Sequence, residues 1–285
     1  MIARGPLPAV SIVVPAYNEE QTIRACVEAA LAQTVPAHEI IVVDNRSTDR
    51  TAEIVAALQT ANPDAPLRLL RQFNEQGLVP TRNLGLDSAT GEVIGRIDAD
   101  SVLEPTWVAE VQQAFADPTV AAATGPVLYY DMPLRRFGLR ADDTLRRAML
   151  RLAREYHFVF GSNMALRATA WQAIRDEVCR DEEDLFHEDI DLSVHLYDAG
   201  LKAVYVPTMV TGMSARRVED SPRDYVSYVG RFDRTYTHHD VRNRALRAPA
   251  WVFLAVYPIA KGLRWGHQEI TARRGAGVAT PPSAD

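Results

Sequence analysis

Two carboxylates two residues apart, in Asp98-Ala99-Asp100, stand where a β-branched run ends. Residues i and i+2 of an extended chain face the same way, so the pair presents both acids to one cation. Oxygen-only ligands favour a hard ion, Mn²⁺ or Mg²⁺, and Mg²⁺ completes its shell with water and substrate phosphates. An isolated D-x-D is short and common, and a polar turn closing a strand accounts for most of them; position decides. A second acid, Asp44, also ends a strand, Ile40-Ile41-Val42-Val43, and precedes Asn45-Arg46-Ser47-Thr48-Asp49. Helix capping explains Ser47, Thr48 or Asp49 but not Asp44, which reads equally as turn residue or ligand. A third acidic stretch, Glu188-Asp189-Ile190-Asp191, opens a helix whose apolar side is Leu192, Leu196 and Ala199. Acids at a helix N-terminus are favoured by the dipole alone, so their chemistry stays open at this level.

These acids are spaced along alternating elements. Strands are expected over 10–14, 39–43, 67–71, 92–97 and 120–124, with helices over 19–33, 47–59, 78–89 and 105–116 between them. Such alternation implies right-handed β-α-β units and a mostly parallel, Rossmann-like sheet covered by helices on both faces. Open sheets of this kind bind ligands beyond the carboxyl ends of their strands, which is where Asp44 and Asp98-Ala99-Asp100 fall. After Pro126 the pattern changes to an arginine-studded helix over 139–155, an apolar run over 158–166, a helix over 189–198 and a strand over 203–206. The expected organisation is a first half (1–125), a second half elaborating the same domain (126–218), a helical basic extension (219–274) and a disordered tail (275–285).

With 285 residues, 47% hydrophobic and 24% charged, the chain is long enough for one large α/β domain, and disorder or fibre is excluded. A net charge of -6 without zinc-finger spacing argues against a nucleic-acid partner. Cys26 and Cys179 lie far apart with no redox or metal spacing, so each is expected to be a small core residue in a reduced compartment. Residues 1–10 hold no apolar stretch of signal-peptide length, and no 18 uncharged apolar residues run together. The expectation is a cytoplasmic protein, at most peripheral on the inner face of a membrane.

The residues resemble the family 2 inverting glycosyltransferases of the GT-A fold. Val13-Val14-Pro15-Ala16-Tyr17-Asn18-Glu19 looks like that family's opening strand and nucleotide loop, and Val43-Asp44-Asn45-Arg46-Ser47-Thr48-Asp49 like its V-D-D-G-S-x-D segment. Arg82-Asn83-Leu84-Gly85, Ala89-Thr90-Gly91-Glu92 and Ile97-Asp98-Ala99-Asp100 are similar to its A-R-N-x-G, A-x-G-E and D-A-D series, in the same order and spacing. Phe160-Gly161-Ser162-Asn163 and His187-Glu188-Asp189-Ile190-Asp191-Leu192 match more loosely its acceptor-side glycine segment and E-D motif. The resemblance implies a nucleotide-diphosphate sugar donor (UDP, GDP or dTDP) and a glycan or lipid-linked acceptor. It implies that Pro15, Tyr17 and Glu19 line the nucleoside pocket, that Asp44 and Arg82 approach the base, and that Asp98 lies near ribose and metal with Asp100 the direct ligand. Asn45 and Arg46 depart from the family by replacing a second acid and a glycine, and Thr81 stands where alanine is usual.

Inverting transfer needs a neutralised diphosphate and a base for the acceptor hydroxyl. Asp189 is the candidate base and Glu188 its fallback. Arg216 and Arg217 offer guanidinium forks to the diphosphate, or form a solvated basic turn. His187 is more often structural than a ligand in such a stretch, and Trp107 and Trp171 read as core. A degenerate transferase that only binds nucleotide sugar is the alternative, opposed by the presence of Asp98, Asp100 and Asp189 together. A dinucleotide-dependent oxidoreductase is opposed by Pro15-Ala16-Tyr17-Asn18-Glu19, which has no glycine where G-x-G-x-x-G belongs.

Charge is unevenly distributed. Residues 135–154 hold seven arginines against Asp142 and Asp143, and 216–274 hold twelve Lys/Arg against six acids. Between Arg247 and Arg264, residues 251–260 are apolar and aromatic but too short to span a bilayer. Together these suggest a membrane surface as a partner; packing of the segment on the protein's own core is the competing reading.

Overall fold

The computed structural model describes residues 6–153 and 156–276. In chain order the first half comprises strand β1 (Val10–Ala16), helix α1 (Ile23–Leu31), β2 (Glu39–Asp44), α2 (Thr51–Ala61), β3 (Leu67–Arg71) and α3 (Leu78–Ser88). It continues with β4 (Val93–Arg96), β5 (Val102–Leu103), α4 (Trp107–Ala114), β6 (Val120–Thr124) and β7 (Val127–Tyr129). The second half comprises α5 (Arg135–Ala153), β8 (Met164–Arg167), α6 (Ala168–Ile174), α7 (Glu188–Asp198), β9 (Lys202–Tyr205), β10 (Thr211–Met213), α8 (Pro222–His238) and α9 (Ala248–Ala276). The helix expected over 139–155 starts earlier, at Arg135, and its residues 154 and 155 lie outside the described residues. The tail expected from residue 275 begins inside α9, and its remainder, 277–285, lies outside the described residues, as do 1–5.

Seven strands form one sheet in the order β3-β2-β1-β4-β8-β6-β9. β1 and β2 are buried along their whole length, as β-branched runs covered on both faces must be. Alternate residues of β1 serve two cores. Ile12 and Val14 pack with Ile23, Cys26, Val27 and Trp107, whereas Val13 packs with Leu86, Leu166, Trp171 and Leu192. Each such side chain contributes about 1.5–3 kcal/mol by leaving water. β4 comes so close to the Trp107 ring that a Cβ on Gly95 would lie 2.3 Å from it.

From β1 the chain moves outward to β2 and β3, then returns to the other side of β1 as β4. That reversal opens a crevice beyond the carboxyl ends of β1 and β4, the place where such sheets take ligands. β8 enters antiparallel between β4 and β6, so the sheet is mostly rather than wholly parallel.

A second sheet, β5-β10-β7, has strands of two or three residues, too short to leave a periodicity in the sequence. Its register sets Thr211 opposite Leu103 and Gly212 opposite Val102. It thereby brings the segment after β10 back beside Asp100. Asn163, fully buried, ties the layers together: Nδ2 donates to the carbonyls of Pro126 (3.0 Å) and Met209 (2.6 Å), and Oδ1 accepts from Trp107 Nε1 (2.8 Å). Trp107 and Trp171 are both core residues, as expected.

α8 starts at Ser221, whose Oγ accepts from the Asp224 amide, with Pro222 at the first helical position. α9 lies against α8 through Tyr225, Val229 and Tyr257, with Phe253 and Leu254 alongside. Its other side leaves Trp251, Val256, Ile259, Leu263, Trp265 and Ile270 exposed. Among the described residues, no helix is long and apolar enough to cross a membrane.

Candidate active site

The crevice is built first from two loops laced together. The Asn18 amide donates to Ser47 Oγ (3.0 Å), the Thr48 amide to Asn18 Oδ1 (2.8 Å), the Glu20 amide to Asp49 Oδ2 (3.0 Å) and the Glu19 amide to Thr51 Oγ1 (2.7 Å). Asn18 and Arg46 turn these loops with φ of 54° and 61°. Asparagine tolerates that region, while at Arg46 a side chain with a Cβ carries about 1–2 kcal/mol of strain that a glycine would avoid. Asn45 fixes the neighbouring loop: its Nδ2 donates to the Glu75 carbonyl and its Oδ1 accepts from the Gly77 amide. Pro15 is buried at the end of β1 and Tyr17 is half exposed beside it.

Asp44 pairs in register with Ala16 of β1 and is buried. Its Oδ2 accepts from Arg71 Nη1 at 3.2 Å, and its Oδ1 has no hydrogen-bond partner. Arg71 was not anticipated as a site residue; it closes β3 directly opposite Asp44. Arg82, expected near the base, is turned elsewhere. It is fully buried, with Nη1 on the Glu188 carbonyl (3.0 Å) and its other nitrogens on Asn83 Oδ1. Its guanidinium supports α7.

Asp98 and Asp100 lie in a turn closed by the Ser101 amide on the Asp98 carbonyl (2.9 Å), instead of along an extended chain. Arg96, the last residue of β4, bridges two acids: Nη2 is 3.0 Å from Asp98 Oδ1 and 3.0 Å from Glu188 Oε1. It too was missed, although a lone arginine in the run Val93-Ile94-Gly95-Arg96-Ile97 is a legible signal that a buried acid must meet it. The guanidinium lies against Gly161, where a Cβ would come within 1.9 Å of Nη1. Gly161 also donates its amide to Asp189 Oδ2 at 2.8 Å. Burial would raise the Glu188 carboxyl, but Arg96 and Arg82 outweigh it and hold Glu188 below the usual carboxylate range. Asp189 has the opposite balance: burial and the adjacent Glu188 push it up to about 7.

Asp100 belongs to a second bridge. Arg216 Nε is 3.1 Å from Asp100 Oδ2, and Arg216 Nη1 is 2.7 Å from Glu19 Oε2. The Tyr130 hydroxyl donates to the Asp100 carbonyl at 3.0 Å. Burial and the charge of Asp98 push the Asp100 carboxyl up to about 6, with Arg216 pulling against them. Arg217 is not brought to this bridge; it pairs with Asp220 (3.5 Å) and covers the Tyr228 ring at 4.4 Å. His187 is buried between Tyr228 and Phe232, and burial lowers its pKa to about 4, consistent with a structural role. A groove of about 530 Å³ runs from Glu19 and Arg216 to Arg264 and Gln268 of α9.

Comparison with known proteins agrees with this architecture. The family model for Glycosyl transferase family 2 matches residues 11–175. Glycosyltransferase AglE of Haloferax volcanii is 36% identical over 104 residues, which are 36% of this chain and 34% of that protein. The matched region therefore spans about a third of the length of that relative. Among solved structures, mannosyltransferase PcManGT from Pyrobaculum calidifontis, in complex with GDP-Man and Mn²⁺, superposes with a TM-score of 0.70 at 21% identity, over 98% of this chain and 78% of its own. TarS 1-349 of S. aureus with UDP-GlcNAc gives 0.56 at 16%, over 87% of this chain and 71% of its own. Both show the GT-A fold shared with this chain.

Substituting Arg96 with methionine is expected to cost about 3 kcal/mol, because it leaves a buried acid without its cation. The Glu188 carboxyl would then rise above its unfolded value. The deficit should therefore be larger at pH 8, where that carboxyl is ionised, than at pH 5, where it can protonate. Denaturant unfolding at both pH values measures this; equal deficits would refute the shared-cation reading.

Proposed function

The chain belongs to glycosyl transferase family 2, and from that premise we propose that it moves a sugar from a nucleoside diphosphate to an acceptor hydroxyl, with inversion, at Asp98, Asp100 and Asp189. The observation that carries this reading is the pair of arginine bridges, Arg96 between Asp98 and Glu188 and Arg216 between Asp100 and Glu19. They leave Asp189 outside both bridges, held by the Gly161 amide, where burial and the adjacent Glu188 push it up to about 7.

Asp98 and Asp100 suit Mn²⁺ or Mg²⁺: the donor set is oxygen only, and burial, with the neighbouring charge of Asp98, pushes the Asp100 carboxyl up to about 6, a cost that a bound cation would offset. Held there, such an ion would supply Lewis-acid neutralisation of the donor diphosphate. Arg216, half exposed, can leave Asp100 for the diphosphate, to which its planar fork is suited. Asp44 Oδ1, buried without a partner, is an acceptor for a base that offers a ring N–H, as uracil, thymine and guanine do. Pro15 and Tyr17 flank Ala16, the register partner of Asp44, and Glu19 stands at the Arg216 bridge. Arg82 acts in this reading as the anchor of α7 in place of a base contact, and Arg217 lines the acceptor side through Tyr228. PcManGT with GDP-Man and TarS with UDP-GlcNAc support the donor class.

Asp189 takes the acceptor proton. The acceptor oxygen bonds to the anomeric carbon as the bond from that carbon to the diphosphate oxygen breaks, and the proton passes to the Asp189 carboxylate. The Gly161 amide on Oδ2 fixes the carboxylate's orientation. Glu188, already paired with Arg96, is less available.

The acceptor is a glycan or lipid-linked acceptor of envelope synthesis, met at a membrane surface. Support comes from the exposed apolar side of α9 and from Leu134 and Phe137, 73% and 70% exposed, which flank the exposed Arg135 and Arg136. Arg264 joins the two regions by its ion pair with Asp131 at 2.6 Å. Part of the basic charge is spent internally: Arg146 on Asp142 and Arg147 on Asp143.

Four measurements test this reading. Asp100→Ala should remain folded but lose metal-dependent donor binding; calorimetric titration of UDP- and GDP-sugars with and without Mn²⁺ decides, and an unchanged metal dependence would sink the assignment. Asp189→Asn should keep donor binding and lose roughly 10²-fold or more in turnover. In the unsubstituted enzyme kcat/KM should rise tenfold per pH unit below about 7 and level off above it, since the base works only when ionised. A flat profile would argue against Asp189. The protein should float with anionic vesicles at low salt, and Ile259→Glu with Trp265→Glu should abolish this; recovery of the unsubstituted protein only in the soluble fraction counts against docking.

A further inference from the structure

The middle of α7 carries a second constellation that donor chemistry does not use. Asp191 and His195 stand one turn apart on α7, His239 follows the last residue of α8, and Cys179 lies in the segment between α6 and α7. One ligand atom from each of these four residues lies within 4.8 Å of all the others. His239 Nε2 is 2.8 Å from Asp191 Oδ1, and His195 Nε2 is 3.5 Å from the same oxygen. The other oxygen, Oδ2, is held by the Cys179 amide at 3.0 Å, which aims Oδ1 at the two imidazoles. His195 Nε2 is buried and has no hydrogen-bond partner. Sequence spacing gave no hint of this, because Cys179 and His239 are sixty residues apart, and Cys179 is half-buried among these side chains instead of being an inert core residue.

We propose that Cys179, Asp191, His195 and His239 form a structural Zn²⁺ site. One sulfur, two imidazole nitrogens and one carboxylate oxygen make a closed four-coordinate set of mixed softness, which suits tetrahedral zinc and not the hard ion taken by Asp98 and Asp100. Zinc bonds of about 2.0–2.3 Å put neighbouring ligand atoms roughly 3.3–3.8 Å apart, so side-chain rotations well under an ångström per atom suffice. His238 Nε2, 3.4 Å from Cys179 Sγ, supplies the outer hydrogen bond that metal thiolates commonly receive. The metal would join the segment before α7 and the end of α8 to α7, two residues from Asp189. This inference does not depend on the transferase reading.

The test uses the full chain without an affinity tag, stripped with chelator, reloaded with Zn²⁺ and gel-filtered. Elemental analysis should find about one zinc per chain, undiminished in Asp100→Ala and lost in Cys179→Ser and His239→Ala. Removing zinc should lower Tm by about 5 °C at a loading of a hundred times Kd. Co²⁺ in place of zinc should give tetrahedral absorption with a thiolate charge-transfer band. This measurement on the unsubstituted chain stands even where a variant fails to fold. No retained zinc, zinc that persists in His239→Ala or is lost in Asp100→Ala, or Co²⁺ without a thiolate band would each overturn the site and leave a metal-free hydrogen-bonded cluster.

Discussion

The site depends on a cation that the fold has buried. Arg96 is 2% exposed at the end of β4, and taking a guanidinium out of water costs several kcal/mol unless acids and geometry offset it. Two acids do so, Asp98 on the following turn and Glu188 at the start of α7. Much else follows from satisfying that charge. Glu188 must reach the sheet, so the N-terminus of α7 is drawn to the switch point. Residue 161 must lack a Cβ, because the guanidinium occupies that space. Arg82 then binds the Glu188 carbonyl and fixes the backbone from which Asp189 projects.

The second bridge is built from the same chemistry with the opposite accessibility. The side chain of Arg216 is 49% exposed, against 2% for Arg96, so solvent weakens its hold and it can exchange partners at smaller cost. One arginine is thus a permanent counter-ion and the other a replaceable one, and Asp98-Ala99-Asp100 lies between them. The difference has a topological cause. Arg96 belongs to a central strand, whereas Arg216 is delivered by β10, a strand of three residues in the small outer sheet. The same contrast separates the acids: Glu188 shares the permanent cation and stays ionised, while Asp189 does not and rises towards 7.

What the sequence disclosed was what is local or strongly periodic. The β-branched runs of β1 and β2, the alternation with α1 to α4, and the acids at strand ends all follow from neighbouring residues and the two-sided burial of parallel strands. The antiparallel β8 was harder, because its neighbours β4 and β6 are remote in sequence and nothing local sets strand direction. β5, β7 and β10 were beyond reach at two or three residues each. Side-chain destinations were the least legible. Arg82 and Arg71 could each have met Asp44, and only the register of β2 with β3 selects Arg71. Arg96 was readable in principle, as a charge inside an apolar strand, but its partner Glu188 lies ninety-two positions away. In the apolar segment at 251–260 one side of α9 packs on α8, as the competing reading expected, and the other side is exposed.

The second half of the chain is then better understood through α7 than as an appendage to the sheet. Its first turn carries Glu188 and Asp189, its sheet-facing side carries Leu192 and Leu196, and its remaining side carries Asp191 and His195. α8 is fastened to it at two residues: His187, through its amide on Thr235 Oγ1 at 2.9 Å and its ring against Tyr228 and Phe232, and Asp191, which meets His239. α9 is fastened to α8 in turn by the stacked rings of Tyr225 and Tyr257, 4.2 Å apart. A close-packed chain of contacts therefore joins the exposed apolar side of α9 to the acid pair, and close-packed interiors pass displacement on instead of absorbing it. Because Asp189 is positioned from α7 and not from a loop, the exposed apolar side of α9 and the Asp189 carboxylate are referenced to the same rigid element.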